Sequence, residues 1–250
     1  MKLFIFFVLL NISATTFAAS LADIIEITKK SVVAVGTYMP KRSPRGIFLG
    51  TGFVVGDGRL VVTNAHVLPK NINVKSIETV AVFFRQDERI RMIQTRTVVV
   101  DKEHDIAILR LLSGKLPAMA LSDSLVREGQ EIAFTGYPIG MVLGVHPVTH
   151  RGIVSAISPV ILPVLNARRL NAKMMRRLRD PYDVYQLDAT AYPGNSGSPV
   201  YNADTGKIIG IVNKVFVKET KETILSKPSG ITYAIPIKYL KNLLEKSNLK

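Results

Sequence analysis

The sequence predicts an all-β protein built from two barrels, and three observations carry that reading. Past residue 30 the apolar residues recur mostly with a period of two, in short segments. Turn chemistry separates several of them, as at Gly56-Asp57-Gly58 and over 202–206. A dozen such segments without alternating helices describe a sandwich or barrel and not βα units. In order, strands are expected at 31–38, 52–55, 60–63, 79–84, 90–100, 106–111, 131–136 and 152–157. Four more are expected at 184–187, 198–201, 208–217 and 231–235. The junction between the barrels falls near 121–130.

Two segments have helical spacing. After Pro236, which suits a first turn, Ile237, Leu240, Leu243 and Leu244 share one face of a C-terminal helix. Within 168–179 (RRLNAKMMRRLR), six of twelve residues are basic and none is acidic. Leu170, Met174 and Leu178 recur every four residues there, so a short helical insertion is expected at about 166–179. Asn166 suits its N-cap, and Asp180-Pro181 its end. Its cationic face suits solvent, or an anionic lipid or other acidic partner.

At 250 residues, 47% apolar and 21% charged, the chain can bury a core, which excludes disorder, collagen and coiled coil. Lysine and arginine outnumber aspartate and glutamate by 33 to 19, for a net charge of +14. That excess bears on solubility and acidic partners, not on fold. The absence of cysteine excludes disulfides, thiolate metal sites and a cysteine nucleophile. Lys2, the apolar run from Leu3 to Leu10 and the small residues Thr16 and Ala18 form the layout of a signal peptide over 1–18. The run is less than half the length a bilayer span needs, so the chain is expected to be exported, to the periplasm or the medium.

Three motifs carry chemistry. Thr63-Asn64-Ala65-His66-Val67-Leu68 ends a strand, and His104-Asp105-Ile106-Ala107-Ile108-Leu109 sets an acid at the entrance of a buried one. Pro193-Gly194-Asn195-Ser196-Gly197-Ser198-Pro199 places a serine in a tight, glycine-flanked turn. Acyl transfer by serine needs a base within reach of Oγ and an acid that fixes the base's tautomer. It also needs backbone N–H groups aimed at the developing oxyanion, and those of Gly194 and Ser196 can converge on one point. His66, Asp105 and Ser196 are therefore the candidate catalytic residues, with Asp101 a rival acid. His146 and His150, four apart, could suggest a metal pair, but no third ligand accompanies them; no metal or other cofactor is expected.

With Thr135–Gly140 (TGYPIG), Arg151–Pro159 (RGIVSAISP) and the terminal Tyr233-Ala234-Ile235-Pro236, these motifs resemble a trypsin-like serine protease of the HtrA (Deg) branch. The resemblance runs from about Gly50 to Leu244. It implies two six-stranded antiparallel β-barrels with the active site in the cleft between them. The expected divisions are the signal peptide 1–18, an N-terminal segment 19–45, a first barrel 46–123 and a second barrel with C-terminal helix 124–250. It further implies an endopeptidase acting on proteins or peptides through an acyl-enzyme, with a tendency to form homo-oligomers. By the same resemblance, the position expected to floor the specificity pocket is Thr190, with Val212 and Asn213 alongside. No acid stands there to pair with a lysine or arginine, so small or medium apolar P1 residues are expected; Lys214 complicates the neighbourhood.

Departures from the family pattern matter too. Asn195 stands where animal trypsins carry the aspartate that pairs with a freshly cut N-terminus, so that ion pair is excluded. Ser198 replaces a second glycine and makes the motif similar to that of glutamyl endopeptidases. Val212 stands where those enzymes use a histidine to read glutamate, so glutamate specificity is not expected. No PDZ module is recognisable through Lys250. A catalytically silent trypsin-fold binding protein is the alternative, and the lack of aromatic-rich basic motifs speaks against a nucleic-acid partner.

Overall fold

The computed structural model describes residues 20–138, 145–159, 181–213 and 231–249. The expected signal peptide, the helical insertion at 166–179 and Lys214 lie outside these residues. The chain opens with α1 (Leu21–Lys29) and runs through β1 (Val32–Tyr38), β2 (Gly46–Val55) and β3 (Leu60–Asn64). It continues with β4 (Thr79–Gln86), β5 (Arg89–Asp101), β6 (Ile106–Leu111), β7 (Glu131–Gly136) and β8 (Val148–Pro159). After β9 (Asp183–Asp188), β10 (Pro199–Asn202), β11 (Ile208–Val212) and β12 (Ile231–Pro236), it ends in α2 (Ile237–Lys246). The strands close into two six-stranded barrels, in the order β1-β2-β3-β6-β5-β4 and β10-β11-β12-β9-β8-β7. The all-β, two-barrel expectation holds, and the first barrel takes its first strand from the segment ahead of residue 46.

Both faces of the central strands are buried, which is why β1, β3 and β6 read as nearly unbroken apolar runs. In β1, Val33 and Val35 pack with Val54, Val61, Val82 and Leu109, all from the first barrel. Val32 and Ala34, on the opposite face, join a cluster drawn from both barrels that includes Phe53, Ile108, Tyr201, Ile235 and Leu240. A third cluster, with Ile132, Phe134, Leu187, Val200 and Ile209, belongs to the second barrel. Tyr137 ties the barrels: its hydroxyl donates to the Val32 carbonyl (3.0 Å), and burial pushes its phenol well above the ordinary tyrosine range.

Helix α1 has no counterpart in the expectations. Ser20 caps it by accepting from Asp23 N–H (3.3 Å), and the Asp23 carboxylate accepts in turn from Ser20 N–H (3.0 Å), forming a reciprocal box. The helix buries Ile24 and Thr28, and Ile24 packs into the cluster shared by the two barrels. Pro236 stands one position earlier than expected, as the N-cap of α2 and not inside its first turn. Among the described residues, no helix is long and apolar enough to cross a membrane.

Candidate active site

His66 follows β3 in a short 3-10 turn, Ala65–Val67. Asp105 stands just before β6, and β3 and β6 are paired neighbours, so the sheet brings the two residues together. The Asp105 carboxylate grips His66 at two points: Oδ2 lies 2.6 Å from Nδ1, and Oδ1 accepts from the backbone N–H at 2.9 Å. This contact puts the proton on Nδ1 when the ring is neutral and leaves Nε2 with its lone pair.

Asp105 has a positive φ of 57°, a costly conformation for a non-glycine residue. Two further bonds hold it there, because its carbonyl accepts from Asn64 Nδ2 (3.0 Å) and Ala65 N–H (3.1 Å). Asn64 thus braces the Asp105 backbone, a contact that motif reasoning passed over. The rival acid is otherwise engaged: Asp101 Oδ2 lies 2.6 Å from His104 Nδ1. Burial opposes ionisation of Asp101, but hydrogen bonds from the ring and backbone N–H of His104 outweigh it and hold the carboxyl below its ordinary range. The His104 ring stacks on Tyr239 of α2 with centroids 4.2 Å apart.

Ser196 sits in the turn before β10, and the first barrel fastens that turn. Thr51 on β2 donates its N–H to the Ser196 carbonyl (2.9 Å) and its hydroxyl to the Gly194 carbonyl (2.7 Å). The same Thr51 Oγ1 accepts from Tyr137 N–H (3.0 Å). Gly197 packs so closely on the segment leading to His66 that an added Cβ would lie 2.6 Å from Thr63 Oγ1 and 3.2 Å from Asn64 N. Within the turn, Asn195 N–H donates to the Tyr192 carbonyl (3.0 Å). The N–H groups of Gly194 and Ser196 have no acceptor among the described residues, and Gly194 adopts φ 102°. Asn195 is fully buried, and its Oδ1 has no donor among the described residues; a carboxylate here would be a buried charge without compensation.

The expected pocket residues lie close by in sequence and bonding. Thr190 is half-buried between Ala189 and Ala191, whose methyls are in the second barrel's core. Val212 belongs to the same core, and its carbonyl accepts from Gly197 N–H (2.9 Å). Asn213 donates its backbone N–H to the Tyr233 carbonyl (2.8 Å).

The other two histidines do not converge. His146 Nε2 lies 3.3 Å from Arg85 Nη1, whereas His150 stacks on Phe134 with centroids 4.8 Å apart. Burial lowers the pKa of His150 below its ordinary 6.5. The unfolded chain therefore binds this proton more readily than the folded one, so its contribution to stability is complete above about pH 6.5 and is lost as pH falls. The Tm of the wild type is expected to drop as the pH falls below about 6.5, and His150→Phe to remove that part of the drop. An equal drop in the variant would rule His150 out as its source.

The trypsin-like peptidase domain family matches residues 50–211. A probable periplasmic serine endoprotease, DegP-like, from Halomonas elongata is 31% identical over 194 residues, which are 76% of this chain and 33% of that protein. The serine protease HTRA1A of Danio rerio is 28% identical over 233 residues, 91% of this chain and 41% of that protein. The chain thus spans about a third to two-fifths of the length of these curated relatives. Among solved structures, a serine endoprotease from Yersinia pestis has TM-score 0.63 at 24% identity, over 92% of this chain and 66% of that one. An M. tuberculosis protease in its active form has TM-score 0.65 at 20% identity, over 91% of this chain and 85% of that one. These two likenesses concern the fold. With the family match spanning 50–211, this chain belongs to the trypsin-like peptidase family.

Proposed function

We propose that the chain is an exported serine endopeptidase that cleaves protein substrates through an acyl-enzyme. The observation that carries this reading is the two-point grip of Asp105 on His66, beside a serine turn fastened to the same barrel. In the proposed reaction, Ser196 Oγ attacks the scissile carbonyl carbon while His66 Nε2 takes the hydroxyl proton. The carbonyl oxygen gains negative charge and is received by the N–H groups of Gly194 and Ser196. Collapse of the tetrahedral species breaks the C–N bond, and His66 returns the proton to the departing amine. Water then attacks the ester by the same route, giving the new carboxyl terminus and restoring Ser196. Asp105 fixes the ring and stabilises the imidazolium that forms.

Export, to the periplasm or beyond, rests on the leader pattern of 1–18 and on the periplasmic name of the Halomonas relative. Assembly into homo-oligomers, and binding of an anionic lipid or acidic partner through 168–179, belong to the same proposal. The specificity expected from Thr190, Val212 and Asn213 is for small or medium apolar P1 residues, because nothing at Thr190 would neutralise a buried cation. Peptide-library profiling of the purified full chain tests this. Cleavage after residues such as valine, alanine or leucine is expected, and dominant cleavage after lysine or arginine would refute the pocket assignment.

A further inference from the structure

A buried hydroxyl holds the segment that leads into the Ser196 turn. Thr232, fully buried on β12, donates from Oγ1 to the Ala189 carbonyl (2.5 Å) and accepts at the same atom from Ala191 N–H (3.1 Å). The ladder between β9 and β12 pairs Thr232 with Leu187, and β9 ends at Asp188. The next residues therefore leave the sheet with a buried carbonyl and a buried N–H that no strand can serve. Unmade, such bonds cost more than they return when made, so both groups need a partner. One threonine hydroxyl supplies an acceptor and a donor to the two residues that flank Thr190. Ala189 and Ala191 are thereby held with their side chains in the core, at 7% and 4% exposure, and Thr190 is left half-buried between them. The chain then enters the turn directly through Tyr192 and Pro193.

We infer that Thr232 is a positioning residue for P1 selection, one that sets where Thr190 stands relative to the Ser196 turn. The inference rests on the serine-peptidase reading and assigns a determinant of specificity to a side chain that need not touch the substrate. Thr232→Val preserves shape but strands both backbone groups, whereas Thr232→Ser preserves both bonds. In the full chain, Thr232→Val is expected to lower kcat/KM at the preferred P1 residue by about 10²-fold, the scale of an ångström-level displacement. The loss is smaller at poor P1 residues, so the selectivity profile flattens, while Thr232→Ser keeps the wild-type profile. Amide exchange gives a second readout: the Ala191 N–H is expected to exchange faster in the valine variant, with barrel amides such as Phe134 unchanged. Equal loss at every P1 residue, unchanged Ala191 exchange, or a folded serine variant with an altered profile or faster Ala191 exchange would overturn the inference. A wild type that cleaves no peptide would sink the peptidase reading, and the exchange comparison would still decide whether Thr232 holds the segment.

Discussion

Replacing Ser196 with alanine is expected to lower kcat by about 10⁴–10⁶, the scale seen when a catalytic triad loses a member. The fold should be indifferent to the change. The bonds that fasten the turn run through backbone atoms of Ser196 and Gly194 and through Thr51, and none uses the Ser196 hydroxyl. KM and Tm should therefore stay near their wild-type values while turnover disappears, a separation that a merely structural serine would not produce. Casein or peptide cleavage followed beside a thermal melt reads both quantities. Cleavage by the alanine variant at the wild-type rate would remove Ser196 from the chemistry.

Gly197→Ala is expected to cost roughly 2–5 kcal/mol and to abolish activity, because two separate penalties fall on one methyl group. The backbone at Gly197 has φ 86°, a left-handed conformation that disfavours any Cβ. The new methyl would overlap the Thr51 carbonyl oxygen and press on Thr63 Oγ1 and Asn64 N, the contacts that hold the serine turn against the His66 segment. Relief requires the turn to lift from the first barrel, and alignment of nucleophile and base tolerates little movement. Gly114→Ala separates the two penalties: its φ is 67°, but the added Cβ would meet nothing within 4 Å. Only the backbone cost, about 1–2 kcal/mol, is expected there, with activity retained. Denaturant midpoints of the two variants make the comparison, and equal destabilisation would show that the packing of Gly197 is not what matters.

The strands were legible because their faces are buried, and burial writes a periodic pattern into sequence. Where the pattern bends, so did the expectation. The strand expected at 52–55 is the end of β2, which begins at Gly46; its earlier half turns Ile47 and Leu49 to solvent at 37% and 40% exposure, so the apolar alternation misleads. Helix α1 is only nine residues long, and it exposes Ile27 while burying Thr28, which blurs its apolar face. Its readable signal was the box between Ser20 and Asp23. At the site, the residue types proposed to do chemistry stood out as motifs, His66 and Asp105 among them. Their supports did not. Asn64 reaches an aspartate 41 residues away, Thr51 a carbonyl 143 residues away, and Thr232 a carbonyl 43 residues away. Such bonds depend on tertiary approach, and an isolated threonine or asparagine carries no periodic mark of it.

The central claim is that Ser196 is a nucleophile activated by His66. An active-site-directed fluorophosphonate tests it most directly, since the reagent phosphonylates only a serine whose hydroxyl proton has a base to go to. With purified full chain, the expected result is a single adduct, located on Ser196 by peptide mass mapping and lost in both Ser196→Ala and His66→Ala. Absence of an adduct on the folded wild-type protein, or labelling that persists in Ser196→Ala, would contradict the claim and leave a trypsin-fold protein that binds without cutting.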